Sequence, residues 1–311
     1  MKDRHRSLRI SGEALLAVLL LVTVFCLRCA AETGDICKRF YDQLIERGYC
    51  DTAIDYVDSL RNQPNCPQQI AEELDYLAGR AYLARVKTAS PAERDLFLKR
   101  SRELLQSFLE KNPDHPDAFE ANAQLASVSV REGEKLLAGI TDQTSDVEKI
   151  RIQQSAREIF DQAAGAFDQA ENLAREQIID LQSDEDKAHS PEANLFYGRY
   201  LDLLLNKSRL LIQKADTYPS DAPERVQLLE EAKAAFHRIY EKYQAYPGGY
   251  RAFYEEARIE NRLGHPEEAL AILDEISQLP MQPALYVLKT ESLALFGEIA
   301  LKDKNPSGSW N

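Results

Sequence analysis

Cys37, Cys50 and Cys66, five scattered histidines and one acidic triplet are the residues whose types invite a chemical reading. Thiolates can act as nucleophiles, ligate metals or pair as disulfides, and an imidazole beside a carboxylate can move protons or hold a cation. Each use needs a spacing. His5, His115, His189, His237 and His265 stand far apart, and no C-x-x-C occurs after residue 31. No H-E-x-x-H, G-x-S-x-G or Gly-rich phosphate loop occurs anywhere in the chain. Asp184-Glu185-Asp186 beside His189 has the ligand types for a cation but not the EF-hand spacing, and reads as a solvated loop. Asn206-Lys207-Ser208 matches a glycosylation sequon, yet it falls in an apolar helical stretch where folding is expected to hide it. The sequence therefore assigns no catalytic, cofactor-binding or metal residue, and the reading is of a protein that is not an enzyme.

The elements that would position any site are helical. Apolar residues make up 44% and charged residues 29%, with 13 Gly and 13 Pro, which suits neither a disordered chain nor a turn-rich β protein. Leu, Ala, Glu, Gln and Arg dominate, and these lose little rotamer freedom in a helix. Residues 116–140, 146–182, 190–216 and 222–245 read as long helices, with recurrences such as Ile159, Ala163, Ala166, Phe167 and Ala170. Leu195 to Ile212 is apolar on most faces and is expected to be the most buried helix. Pro247-Gly248-Gly249 reads as a break, and a last helix is expected over about 284–302, with no evident following partner.

The first 31 residues have the parts of a secretory signal. MKDRHRSLRI is basic, Ala14 to Leu27 is an apolar run of 14 residues, and Cys29-Ala30-Ala31 offers small residues before Glu32. The run is short of the roughly 20 residues of a membrane span. Cleavage after Ala31 is expected, with an uncleaved N-terminal anchor as the alternative. Phe25 before Cys26 and Arg28 before Cys29 do not suit a lipobox. Against 38 basic residues the chain has 51 acidic ones; without the leader 33 and 49 remain, a net −16. That charge repels phosphate backbones and anionic headgroups, so nucleic acid is not an expected partner.

Two segments share a pattern: Gly48-Tyr49-Cys50-Asp51-Thr52-Ala53, and Gly264-His265-Pro266-Glu267-Glu268-Ala269. Each puts a Gly turn five residues before a small residue, with Leu60 or Ile276 as the next inward position. Leu77-Ala78-Gly79-Arg80-Ala81-Tyr82 leads a third unit, which Ser101, Leu105 and Phe108 complete after an insertion around 86–95. These stretches resemble the tetratricopeptide repeat family, whose unit is a 34-residue helix–turn–helix. The resemblance covers 35–66, 71–123 and 251–280, and fades over the irregular 124–245. It implies an all-α solenoid of antiparallel helix pairs, a right-handed superhelix over 32–311, with Ala53 and Ala269 where helices approach closely.

It also implies sites. In a helix pair the start of the first helix lies near the end of the second, so Cys37 and Cys66 are expected to pair as a disulfide, with three unpaired thiols the alternative. The family's ligand groove lies on the first helices; by register Tyr76, Arg80 and Leu83, then Arg251, Tyr254, Arg258 and Arg262, would face it. Such residues could grip a carboxylate or an acidic peptide, although Glu255 stands ready to pair locally with Arg251 and Arg258. The Lys and Asn of the family's carboxylate-clamp version do not recur. Tyr240, Tyr243, Tyr246, Tyr250, Phe253 and Tyr254 cluster around the Pro-Gly-Gly break, where they could pack a helix junction or anchor a partner. The expectation is an exported interaction scaffold, periplasmic or extracellular, binding a protein or peptide in envelope assembly or a secreted complex. The rival readings are a helix-lined enzyme acting on a glycan, or the N-terminal part of a larger repeat protein.

Overall fold

The computed structural model describes residues 34, 36–183 and 190–304; residues 1–31, expected to be a leader, the acidic triplet and His189 lie outside them. The described chain is all-α and parts into two compact units, Met1–Asn112 and Pro113–Asn311. The first unit holds α1 (36–46), α2 (Cys50–Arg61), α3 (Gln68–Arg85) and α4 (Pro91–Lys111). The second holds α5 (Ala118–Ala138), α6 (Asp146–Gln182), α7 (Pro191–Ala215), α8 (Pro223–Tyr243), α9 (Pro247–Leu263) and α10 (Pro266–Gln278). A single 3-10 turn (Pro283–Leu285) then leads into α11 (Tyr286–Lys304). Helices pack on their chain neighbours, as α3 does on α4, α5 on α6 and α8 on α9, which is a solenoid-like arrangement. In the second unit α5, α7, α9 and α11 also touch in succession and form one row.

Local chemistry sets the helix ends. Ser90 and Glu93 form a reciprocal capping box at the start of α4. The Ser190 hydroxyl accepts from the Ala193 amide, with Pro191 in the first turn of α7. Gly264 closes α9 in the left-handed conformation at φ 88°. Ala53 and Ala269 are fully buried, as the small-residue pattern requires, and Leu60 and Ile276 point into the core.

The long central helices interlock by size. Ala156, Phe160, Ala163, Phe167, Ala170 and Ala174 recur at three and four residues along α6 and are all buried. A Cβ at Gly133 on α5 would run into the Phe160 ring, so that glycine makes room for the largest knob of the seam.

Several expected boundaries move. Pro247-Gly248-Gly249 is not a break but the first turn of α9, because Pro at N1 fits a helix start. A Cβ at Gly249 would collide with the Tyr243 backbone, so the sharp α8–α9 turn needs glycine there. The second half of the 86–95 insertion is helical, since Ser90-Pro91 starts α4 early. The stretch from Leu195 to Ile212 is buried on one side only: Leu195, Asp202 and Asn206 are exposed, so the sequon asparagine is accessible after all.

Candidate functional site

In the first unit, α3 carries Tyr76, Arg80 and Leu83. Tyr76 is fully buried, its ring 5.3 Å from that of Phe108, and so belongs to the core. Arg80 lies over the rings of Tyr41 and Tyr76 at 5.5 and 5.4 Å and pairs with Asp42 at 3.0 Å. Leu83 is half-buried. The three mark one face of α3, but two of them are occupied within the unit.

The described cysteines are all free thiols, so the expected Cys37–Cys66 bridge is not formed. The helix-pair geometry does bring Cys37 and Cys66 into electrostatic range of each other, at opposite ends of α1–α2 in sequence. The Tyr56 side chain stands with them, hydrogen-bonded to Cys37; burial first, then Cys37, pushes its pKa up. Burial followed by Cys37 raises the Cys66 thiol, and burial followed by Asp51 raises Cys50. Both are therefore protonated at neutral pH and poor nucleophiles.

In the second unit, α9 brings Arg251, Tyr254, Arg258 and Arg262 onto successive turns. Glu255, 1% exposed, takes up most of their charge. Arg258 reaches it at 2.7 Å, Arg209 of α7 at 3.0 Å and Arg251 at 3.6 Å. Arg251 also pairs with Glu291 of α11, and Arg262 with Asp216 at the end of α7. Tyr254 is buried under Arg251, whose guanidinium lies 5.2 Å from its ring; burial foremost lifts the phenol. These residues tie α7, α9 and α11 together, which is the local-pairing reading of the sequence pattern.

The aromatic cluster mostly packs the α8–α9 junction. Tyr240 and Phe253 stack at 4.0 Å with planes 2° apart, and burial with a hydrogen bond to Glu275 pushes Tyr240 up to about 12. Tyr246 is exposed and Tyr243 half-buried, and both line cavities.

Sequence reasoning missed a groove of about 700 Å³ between α6 and α8 with α7 as its floor. Leu204, Leu211 and Ile239 make it apolar. Along the α6 wall, Lys207 bridges Asp168 and Glu171, both at 2.6 Å. Burial opposes the Lys207 ammonium, but the two carboxylates outweigh it and hold its pKa above the ordinary value. The α8 wall differs. Arg238 and Lys242, one turn apart, have no carboxylate partner among the described residues, and Lys242 lies 5.4 Å from the Tyr243 ring. The signal was an Arg and a Lys at i, i+4 on the face that also holds Ala234 and Ala235, too ordinary a pattern to separate from a solvated stripe.

A second cavity of about 550 Å³ adjoins it, sharing Lys242 and Tyr243. Asp202, Arg199, Asn194, Tyr197 and Tyr246 reach into it. Although the Asp202 residue is exposed overall, crowding of its carboxyl within this cavity foremost, with Arg209 opposing and Glu120 adding, raises it above its ordinary value. His237 and His265 serve local pairs, with Glu256 at 3.2 Å and Glu260 at 2.8 Å.

No helix among the described residues is long and apolar enough to cross a membrane. No protein-family model matches the chain, and no curated protein matches it. Among solved structures it is similar to one described as "Computational Design of Self-Assembling Cyclic Protein Homooligomers", at 13% identity over 89% of this chain and 96% of that one. The TM-score is 0.29, too low a likeness to carry an argument.

Proposed function

We propose that the chain is an exported, non-catalytic scaffold of the tetratricopeptide type that binds a segment of another protein. The observation that carries this reading is the α6–α8 groove: an apolar floor and, on one wall, Arg238 and Lys242, which have no carboxylate partner among the described residues, in a chain of net charge −13. Buried apolar area supplies affinity, and fixed cations select a ligand with a carboxylate facing α8. This moves the contact surface from the α9 arginines, already engaged by Glu255, Glu291 and Asp216, to Arg238 and Lys242.

The test is crosslinking and affinity capture of the chain from its native compartment. A stoichiometric protein partner should be recovered by the unaltered chain and lost on Arg238→Glu with Lys242→Glu. It should persist on Leu96→Glu, a substitution at an exposed site in the first unit. Capture that ignores the double reversal would sink this assignment.

One observation favours the glycan-processing alternative. Asp202 has a raised carboxyl beside the phenols of Tyr197 and Tyr246, in a cavity that an uncharged sugar ring could enter. Turnover of an envelope glycan that disappears with Asp202→Asn, while helix content is kept, would replace the scaffold with an enzyme.

A further inference from the structure

The groove over α7 has two unlike ends, and the directions of its helices decide which residues share each. Arg157 of α6 bonds Thr217, Lys207 bridges Asp168 and Glu171, and Gln182 meets Tyr197, so α6 and α7 run antiparallel. Arg225 in the first turn of α8 donates to the Ala215 carbonyl at the end of α7, so α8 also opposes α7 and runs the same way as α6. One end of the groove therefore gathers Arg175, Tyr200, Lys242 and Tyr243, and the other Ala164, Leu211, Glu231 and Ala234. Its walls span about three helical turns, the rise from Ala164 to Arg175 or from Glu231 to Tyr243.

Charge is fixed differently on the two walls. On α6, Lys207 holds Asp168 and Glu171, and Arg175 adds a second contact to Glu171 at 2.5 Å, so that wall is satisfied within itself. On α8 the charges are open. Arg238 and Lys242 have no carboxylate partner among the described residues. Glu231 accepts from the Gln227 side chain at 2.9 Å and has no cation partner among them. The α8 wall thus reads acid at one end and base, base at the other, with the two bases one turn apart.

The backbone decides the form of the ligand. Every wall of the groove is a helix, whose amides and carbonyls are already paired within it, and no strand edge is offered. An extended segment laid on Leu204, Leu211 and Ile239 would bury peptide groups without partners, whereas a helix brings its own. The size pattern agrees: Ala164, Ala234 and Ala235 recede at the Glu231 end and leave room there for a large apolar side chain. We propose that the ligand of this groove is a three-turn amphipathic helix lying antiparallel to α8, acidic in its first half and basic in its last turn. Two acids one turn apart then face Arg238 and Lys242, and a base faces Glu231. That order also suits the ligand's own dipole, which favours acids at a helix start and bases at its end. The proposal rests on the reading of the groove as a peptide site and adds the form, charge order and direction of what it holds.

The experiment is selection from a displayed library of random peptides, about 16 residues long so that four turns fit, on the immobilised full chain. Enriched peptides should repeat apolar residues at three and four, carry acids one turn apart in their N-terminal half, and gain helical circular dichroism on binding. Binding should weaken roughly tenfold or more on Arg238→Glu with Lys242→Glu and persist on Leu96→Glu. The double variant should keep its helix content, because both side chains are exposed. A photo-crosslinker at the peptide's N-terminus should label α8 near Lys242, and one at its C-terminus should label it near Glu231. The opposite labelling overturns the proposal. Peptides that alternate at period two, bind without helix and still need Arg238 and Lys242 also overturn it, while leaving the groove as the contact surface. So does the absence of any enriched peptide when capture of a native partner depends on those two residues. Capture and selection that both ignore the double reversal remove the peptide groove and the helix together.

Discussion

Glu255 shows how a residue can be legible in type and hidden in role. The arginines four residues before it and three after it are visible in the sequence, but Arg209 comes from α7, 46 residues away. Removing the buried carboxylate leaves three guanidiniums facing one another. Glu255→Ala is expected to cost about 3 kcal/mol in urea unfolding, the low end for a broken buried pair because each arginine keeps some water. Arg258→Glu strikes the most exposed of the three. Asp75 in the first unit tests the opposite sign of titration. Burial works against its charge, but Lys111, Ser107 and Arg61 win and hold its pKa below the ordinary value. Its contribution is therefore present above the unfolded carboxylate pKa and lost as pH falls through the lower folded one. Asp75→Asn should cost about 1 kcal/mol at pH 7, and the difference from the unaltered chain should vanish in strong acid. Asp202 runs the other way: with its folded pKa raised, it loses stability as pH rises past the unfolded value. Asp202→Asn should raise the melting temperature at pH 7 and leave it unchanged near pH 3.

At the scale of elements, helix ends and seams were the most readable features. Ser90-Pro91 and Ser190-Pro191 start helices because a β-region serine can accept an orphan amide and proline wastes no donor at N1. Substituting Ser90→Ala should cost about 1 kcal/mol, and Gly264→Ala a similar amount because an alanine resists φ 88°. The α5–α6 seam is the larger test. Phe160→Ala should cost roughly 3–5 kcal/mol, since the ring is fully buried opposite Gly133 and its loss leaves a void in the seam. Hydrogen exchange should then accelerate first in α5 and α6. What periodicity misread was rotation: Ile159 and Ala166 looked like seam residues, but they are only half-buried, and Phe160 takes the inward place. A pattern at 3.6 residues per turn leaves neighbours about 100° apart, so a wide apolar face does not say which of two adjacent residues points at the partner helix.

At the scale of the whole molecule, reading residues 1–31 as a secretory signal makes a prediction independent of the fold. Protein recovered from outside the cytoplasm should begin at Glu32 by N-terminal mass spectrometry; a start at Met1 would instead indicate the uncleaved anchor. The described chain divides at Asn112–Pro113, inside the 71–123 stretch that the repeat resemblance treats as continuous.

By itself the sequence determined the helical class, the pairing of successive helices, and most of the ends. Those depend on neighbours within one or two turns: composition, capping serines, prolines at N1, and small residues where helices cross. The tertiary structure alone decided which charges are used and which are left over. Whether Arg251 or Arg238 is available depends on carboxylates brought from other helices, and the two look alike in sequence. The same holds for concavity. The groove over α7 exists because α6 and α8 stand apart on either side of it.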